Sequence, residues 1–294
     1  MKRQKVALAI DVGGTKIAAA LVAQSGQVLT RHQVPTNQSA SADMLFQSAL
    51  EVARSAIGSE SGFDVCGVGC GGPMTQGGAT VSPLNIAAWR DFPLRAALQE
   101  SLQIPVAVDN DAKALALGEA WFGAGRGFAN FMAMVVSTGV GGGLFVDGKL
   151  LDGNDGNAGH IGHVVVEPGG TKCGCGGRGC LEAEASGLAI ERRTGKPPAK
   201  ADSTEKARVG KMVGRAVAST VNLLDLEHVL VGGSVALGFG QAFLDAANQE
   251  MATLCRLEYS KDSKISRVGL GEEAPLVGAA AVGFKSLGID PRSK

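Results

Sequence analysis

The sequence predicts an α/β fold of two domains, on three observations. Its 294 residues are enough for two domains that each bury a core of their own. Apolar, β-branched runs alternate with stretches of helical period. One unusual device, a strand followed by a glycine turn and a returning strand, occurs twice.

The first copy is VALAID-VGGTK-IAAALV at 6–22, followed by Ser25-Gly26 and a short run VLT, which together read as a hairpin opening a sheet. A helical stretch near 41–57, a strand at 63–69, a helix near 92–102 and the strand IPVAV at 104–108 come next. AKALALGEAWFGAG then carries a helical pattern out of the first domain, which places the boundary near residue 112. The second copy is FMAMVV-STGVGGG-LFVDGKLL at 131–151. A helix around 204–225, a strand at 228–233 and a helix near 238–255 complete the larger domain, 113–278. The terminal run PLVGAAAVGFKSLG predicts a helix, about 279–294, that folds back on the first domain.

Composition narrows the function classes. The 28 Lys and Arg equal the 28 Asp and Glu, so no net field draws the chain to nucleic acid or to an anionic membrane. The basic start before VALAI imitates a signal peptide only faintly, because Asp11 interrupts the apolar run. No apolar stretch reaches the roughly 18 residues of a membrane helix, so a cytoplasmic protein is expected. Three of the six cysteines crowd into 173–180, which suggests metal binding before a disulfide framework.

The 43 glycines cluster after strands, where ligand loops form. GxxxxGK[ST] is absent, and the two GxGxxG matches, at 67–72 and 174–179, lack the strand-to-helix context of a dinucleotide site. Asp11-Val-Gly13-Gly14-Thr15-Lys16 is more informative. It puts a carboxylate at a strand end, bare amides beyond it, and a hydroxyl and a charge to meet phosphate oxygens. Asp11 is placed to hold Mg2+, directly or through water. An ordinary hairpin turn is the alternative, and the second loop, Ser137-Thr138-Gly139-Val-Gly141-Gly142-Gly143, favours phosphate binding. In IPVAVDNDA, three polar side chains, Asp109, Asn110 and Asp111, arrive at the C-terminal edge of a sheet, where open α/β sheets hold ligands. His163, Cys173, Cys175 and Cys180 offer an imidazole and three thiolates, the donor set of a closed tetrahedral zinc site. Cys66, Cys70 and Cys255 read as packing residues.

These motifs carry a resemblance. With DVGGTK at 11–16, VDNDA at 108–112, STGVGGG at 137–143, GHIGH at 159–163, CGCGGRGCLE at 173–182 and VGGSVA at 231–236, the chain resembles the ROK family over nearly its whole length. That family contains bacterial glucokinases, N-acetylmannosamine kinases and related repressors, within the actin, hexokinase and Hsp70 superfamily. The resemblance implies two duplicated ribonuclease H-like domains with a central cleft, and an ATP-dependent transfer to the 6-hydroxyl of a hexose or an N-acetylhexosamine. It implies Asp111 as general base and Asn110 as a sugar-hydroxyl contact, with Asp109 expected to cap the following helix. Gly72, Asn85, His163 and Glu182 would also meet the sugar, Thr138 and Gly139 the phosphates, and Gly232, Gly233 and Ser234 the adenosine. Dimers or tetramers of identical chains are expected, with a small-molecule sugar as the partner.

One residue departs from the glucokinase pattern. His160 stands where many such enzymes have glutamate, and a neutral imidazole donates one hydrogen bond and accepts one, which suits a substrate with an acceptor such as an N-acetyl carbonyl. The rivals to an enzyme are a sugar-sensing regulator, which would carry a helix-turn-helix ahead of the first sheet, and a catalytically silent sugar-binding protein.

Overall fold

A computed structural model describes residues 3–59 and 62–292. The chain forms two compact units: Met1–Arg126 with Leu150–Ala158 and Gly269–Lys294, and Gly127–Lys149 with Gly159–Val268.

The first unit is built on a five-stranded sheet of order β3-β2-β1-β4-β5. Strands β1 (Val6–Val12), β2 (Lys16–Ala23) and β3 (Val28–Pro35) form the antiparallel opening, while β4 (Val65–Cys70) and β5 (Val106–Asn110) run parallel to β1. β1 and β4 are almost continuously buried, as sheet centres covered on both faces must be. Helix α1 (Ala42–Ile57) packs on β2 and β3, with Ser41 Oγ accepting from the Met44 amide as its N-cap. Helices α2 (Leu94–Leu102) and α3 (Asp111–Phe122) flank β5.

The second unit repeats this order. β6 (Phe131–Val136), β7 (Val140–Val146) and β8 (Lys149–Leu150) correspond to β1, β2 and β3, and β9 (His228–Gly232) and β10 (Lys264–Arg267) follow in parallel on the other side of β6. Short helices α4 (Leu181–Ala185) and α5 (Gly187–Thr194) precede two long ones, α6 (Ser203–Leu224) and α7 (Ser234–Leu254), packed along one another. The apolar faces of α6 and α7 and the sheet residues Met132, Met134, Val229 and Val231 share one core.

The terminal helix α8 spans Ala274–Ser286, earlier than the 279–294 expected, because Pro275 fits its first turn and the helix gives way beyond Ser286 to a turn at Gly288 (φ +72°). It packs on β1, β4 and α3, within the first unit. That packing also sets this division apart from a boundary at 112. α3 lies along α8, and Glu119 near its C-terminal end accepts amides from Ala124, Gly269 and Leu270, so α3 and the returning chain share one unit. Segment Leu150–Ala158 is also tied there, through Asn157, which exchanges two hydrogen bonds with the Met74 backbone. No helix among the described residues is long and apolar enough to cross a membrane.

Candidate active site

Asp11, Gly13, Gly14, Thr15, Lys16, Gly72, Asn85, Asn110 and Asp111 all fall in the first unit. The parallel registers put Asp11 beside Gly69 and Gly69 beside Asp109. The ends of β1 and β5 therefore reach the same sheet edge with a bare glycine between them. A Cβ on Gly69 would lie 3.5 Å from Asp111 Cα and 3.8 Å from Asp11 Oδ1. Asp11 is only 8 % exposed, and burial raises its carboxyl to about 7, with the charge of Asp111 pushing the same way and Lys16 and Arg31 opposing.

Asp111 opens α3, and the helix starts there because Asn110 Oδ1 accepts the amides of Ala112 at 3.0 Å and Lys113 at 3.3 Å. The cap is thus Asn110 and not Asp109. The β5 ladder runs through Asn110, so the first unpaired helical amides come two and three residues beyond it. Asp109 instead pairs with the Lys113 ammonium at 2.9 Å, and Lys113, 2 % exposed, also binds Asp152 at 2.7 Å and the Gly156 carbonyl at 3.1 Å. With its Oδ1 committed, Asn110 has its Nδ2 to offer a ligand.

The Gly13–Lys16 turn is held through its carbonyls. Lys16 O accepts from Gly13 N, Gly13 O from Thr36 Oγ1, Gly14 O from Gln38 Nε2, and Thr15 O from Thr36 N. Among the described residues no hydrogen bond engages the amides of Gly14 or Thr15, which is the arrangement an anion-binding turn needs. Asn85 packs on this turn, its Cβ 2.8 Å from where a Gly14 side chain would begin. The Gly72 carbonyl accepts the Leu84 amide at 3.3 Å.

Thr138, Gly139, His160, His163, Glu182, Gly232, Gly233, Ser234 and the clustered cysteines fall in the second unit. At the β6–β7 turn Ser137 N donates to Gly139 O, Ser137 O accepts from Gly187 N at 2.7 Å, and Ser137 Oγ lies 2.9 Å from Ser234 Oγ. The hydroxyl turn, the α5 N-terminus and the Gly232-Gly233-Ser234 turn opening α7 are thereby gathered. Gly142 lies under segment 159–163, where a Cβ on it would come 3.1 Å from Gly159 O and from Ile161 Cγ2. A Cβ on Gly159 would lie 2.2 Å from Gly142 O and one on Gly162 2.2 Å from Val140 O, so glycines on both segments let 159–163 lie flat on the hairpin.

On that segment the His160 and His163 rings stand 6.1 Å apart and nearly perpendicular, at 79°. Burial lowers the His160 pKa, a positive His163 would act the same way and Glu182 opposes it, so the site favours the neutral imidazole. Glu182 Oε2 accepts the Val140 amide at 3.0 Å.

The ligand atoms of His163, Cys173, Cys175 and Cys180 all lie within 4.8 Å of one another. Cys175 and Cys180 sulfurs are 3.8 Å apart and His163 Nδ1 is 3.7 Å from Cys173 Sγ. Bonds of about 2.3 Å to a tetrahedral zinc ion imply sulfur pairs about 3.8 Å apart, so donor set and spacing both fit. Cys66, Cys70 and Cys255 are buried outside the cluster.

Sequence reasoning missed Thr36, Gln38, Gly187 and Lys113. Only Lys113 carried a local signal, its i,i+4 spacing from Asp109.

The model of the ROK family matches residues 7–285. Over 305 residues the chain is 31 % identical to a glucokinase from Halalkalibacterium halodurans, covering 92 % of each. Over 297 residues it is 33 % identical to an N-acetylmannosamine kinase from Haemophilus influenzae, covering 93 % of each. A ROK family glucokinase from Streptomyces griseus, solved in complex with glucose and AMPPNP, matches with a TM-score of 0.85 at 30 % identity, over 95 % of this chain and 99 % of that one.

Proposed function

Because the chain belongs to the ROK family, we propose that it is a sugar kinase that transfers the γ-phosphoryl group of ATP to the 6-hydroxyl of a hexose or an N-acetylhexosamine, with Asp111 as general base. The observation that carries this reading is the pair of carboxylates, Asp11 and Asp111, at one sheet edge over Gly69. Phosphoryl transfer asks of a protein positioning, charge stabilisation and one base for the attacking hydroxyl.

In the first unit Asp111 takes the hydroxyl proton, and Asn110 Nδ2 orients the sugar by donating to a hydroxyl oxygen. Asp11 would hold Mg2+, whose charge, when bound, neutralises the developing charge on the phosphates. The free amides of Gly14 and Thr15, with Lys16, bind phosphate oxygens, and Gly13 shapes the turn. Gly72 and Asn85 flank the sugar. In the second unit Thr138 and Gly139 bind phosphate, and Gly232, Gly233 and Ser234 receive the adenosine. His160, His163 and Glu182 meet the sugar hydroxyls. Zinc held by His163, Cys173, Cys175 and Cys180 would be structural, because four protein donors leave no open coordination position.

His160 favours N-acetylmannosamine over glucose within this class, since a neutral imidazole N–H donates to an amide carbonyl where a carboxylate cannot. Release of ADP over a panel of glucose, mannose, N-acetylmannosamine and N-acetylglucosamine tests the proposal. Turnover with N-acetylmannosamine above that with glucose is expected, and no turnover with any of them would sink the kinase reading.

A further inference from the structure

The cysteine loop is held from behind by groups that bind no metal themselves. Glu184, on α4, is 7 % exposed, and its Oε1 accepts the Thr171 amide at 2.7 Å, two residues before Cys173. Its Oε2 lies 3.4 Å from Arg208 Nη1, and its backbone carbonyl accepts from Arg208 Nη2. Arg208 is in turn oriented by Glu205 one helical turn earlier on α6. Seven residues on, and so on the same helix face, Arg215 donates to the Val166 carbonyl at 3.1 Å and to the Glu167 carboxylate at 2.8 Å. Helix α6 thus backs both strands of the loop. Between them, Gly179 N donates to Thr171 O, and Val166 N to Gly179 O.

We propose that Glu184 is a positioning residue for the metal loop: braced by Arg208, it fixes Thr171 and so sets the spacing of the Cys173, Cys175 and Cys180 thiolates around the ion. The inference rests on the metal reading above and not on the identity of the sugar. A buried ion pair contributes little net stability compared with apolar side chains of the same volume. What apolar side chains cannot supply is an acceptor at a defined point for the Thr171 N–H. The direction of the Glu184 pKa agrees, since the Thr171 and Arg208 donors hold it below the ordinary carboxylate range against the opposing effect of burial. Partners behind metal ligands typically change metal affinity by about 10–100-fold when removed.

The test uses the full chain loaded with zinc and follows zinc transfer to a chromophoric chelator, beside thermal melting and the KM for sugar and for ATP. Glu184→Ala is expected to speed zinc transfer about 10–100-fold and to raise the sugar KM with the ATP KM little changed. Glu184→Gln, whose amide oxygen still accepts from Thr171, should stay within a few-fold of wild type. A Glu184→Ala protein that melts lower yet transfers zinc at the wild-type rate would overturn the proposal, as would a Gln variant as damaged as the Ala one. Should Glu184→Ala not fold, Arg208→Met decides: transfer several-fold faster supports the brace, and a wild-type rate removes it. A wild-type chain that retains no zinc also overturns it. Zinc transfer needs no sugar, so the result stands apart from whether the kinase reading holds.

Discussion

Asp11 and Asp111 both border Gly69, close enough that the charge of Asp111 adds to burial in raising the Asp11 pKa. A buried carboxylate beside a second one resists ionising unless a cation joins them. A pair of this kind holds a proton in the absence of a cation and suits the magnesium role proposed for Asp11.

A consequence for stability follows from Asp11. Its carboxyl sits near 7 in the folded chain against an ordinary 3.8, so between those values the folded state binds a proton that the unfolded state has lost. Stability then falls as pH rises through that window. Without nucleotide or magnesium, Asp11→Asn is expected to be more stable than wild type by about 2–4 kcal/mol at pH 8 and nearly equal at pH 4. Thermal melting across pH checks this, and a constant difference between the two proteins would contradict it.

Asp111→Asn keeps the size and the helix start, since the cap is Asn110. We expect kcat to fall about 10³-fold, with sugar and nucleotide affinities, measured calorimetrically, within a few-fold of wild type. Undiminished turnover would remove Asp111 from the base role.

His160→Glu replaces a donor and acceptor with an acceptor only. The ratio of kcat/KM for N-acetylmannosamine to that for glucose should drop by about tenfold or more. An unchanged ratio would show that the acetyl group is read elsewhere.

Removing zinc with a chelator is expected to raise the sugar KM far more than the ATP KM, because His163 and Glu182 flank the cysteine loop in sequence and lie near His160. Added zinc should restore the affinity. Sugar kinetics indifferent to the metal would separate the loop from the sugar.

Gly67→Ala probes the fold away from the chemistry. A Cβ there would lie 1.9 Å from the Ala279 carbonyl and 2.6 Å from the Gly283 amide, both on α8. Because these are backbone atoms, α8 must lift from β4, at a cost of about 2–3 kcal/mol. Urea unfolding measures it, and KM values in the surviving folded protein should be unchanged.

Much of this architecture was legible locally. The hairpin at 6–22, the helices near 41–57 and 204–225 and the cysteine cluster were all readable because turn glycines, hydrophobic period and metal-donor spacing are properties of neighbouring residues. The error over Asp109 was also local in kind: three polar residues in a row can each cap a helix, and only the extent of the β5 ladder selects Asn110.

Local pattern determined the element types, the two-fold repetition of the glycine hairpin and the residues able to carry chemistry. Tertiary structure alone decided that Asp11 and Asp111, a hundred residues apart, share one sheet edge, and that the returning helix α8 begins at Ala274 and packs on β1, β4 and α3. It also decided that Glu184 and Arg208 stand behind the cysteines and that Gly142 serves the approach of Gly159. The reason is physical: strand pairing, helix docking and the burial of a carboxylate are set by long-range packing, which leaves no periodic trace in the residues on either side.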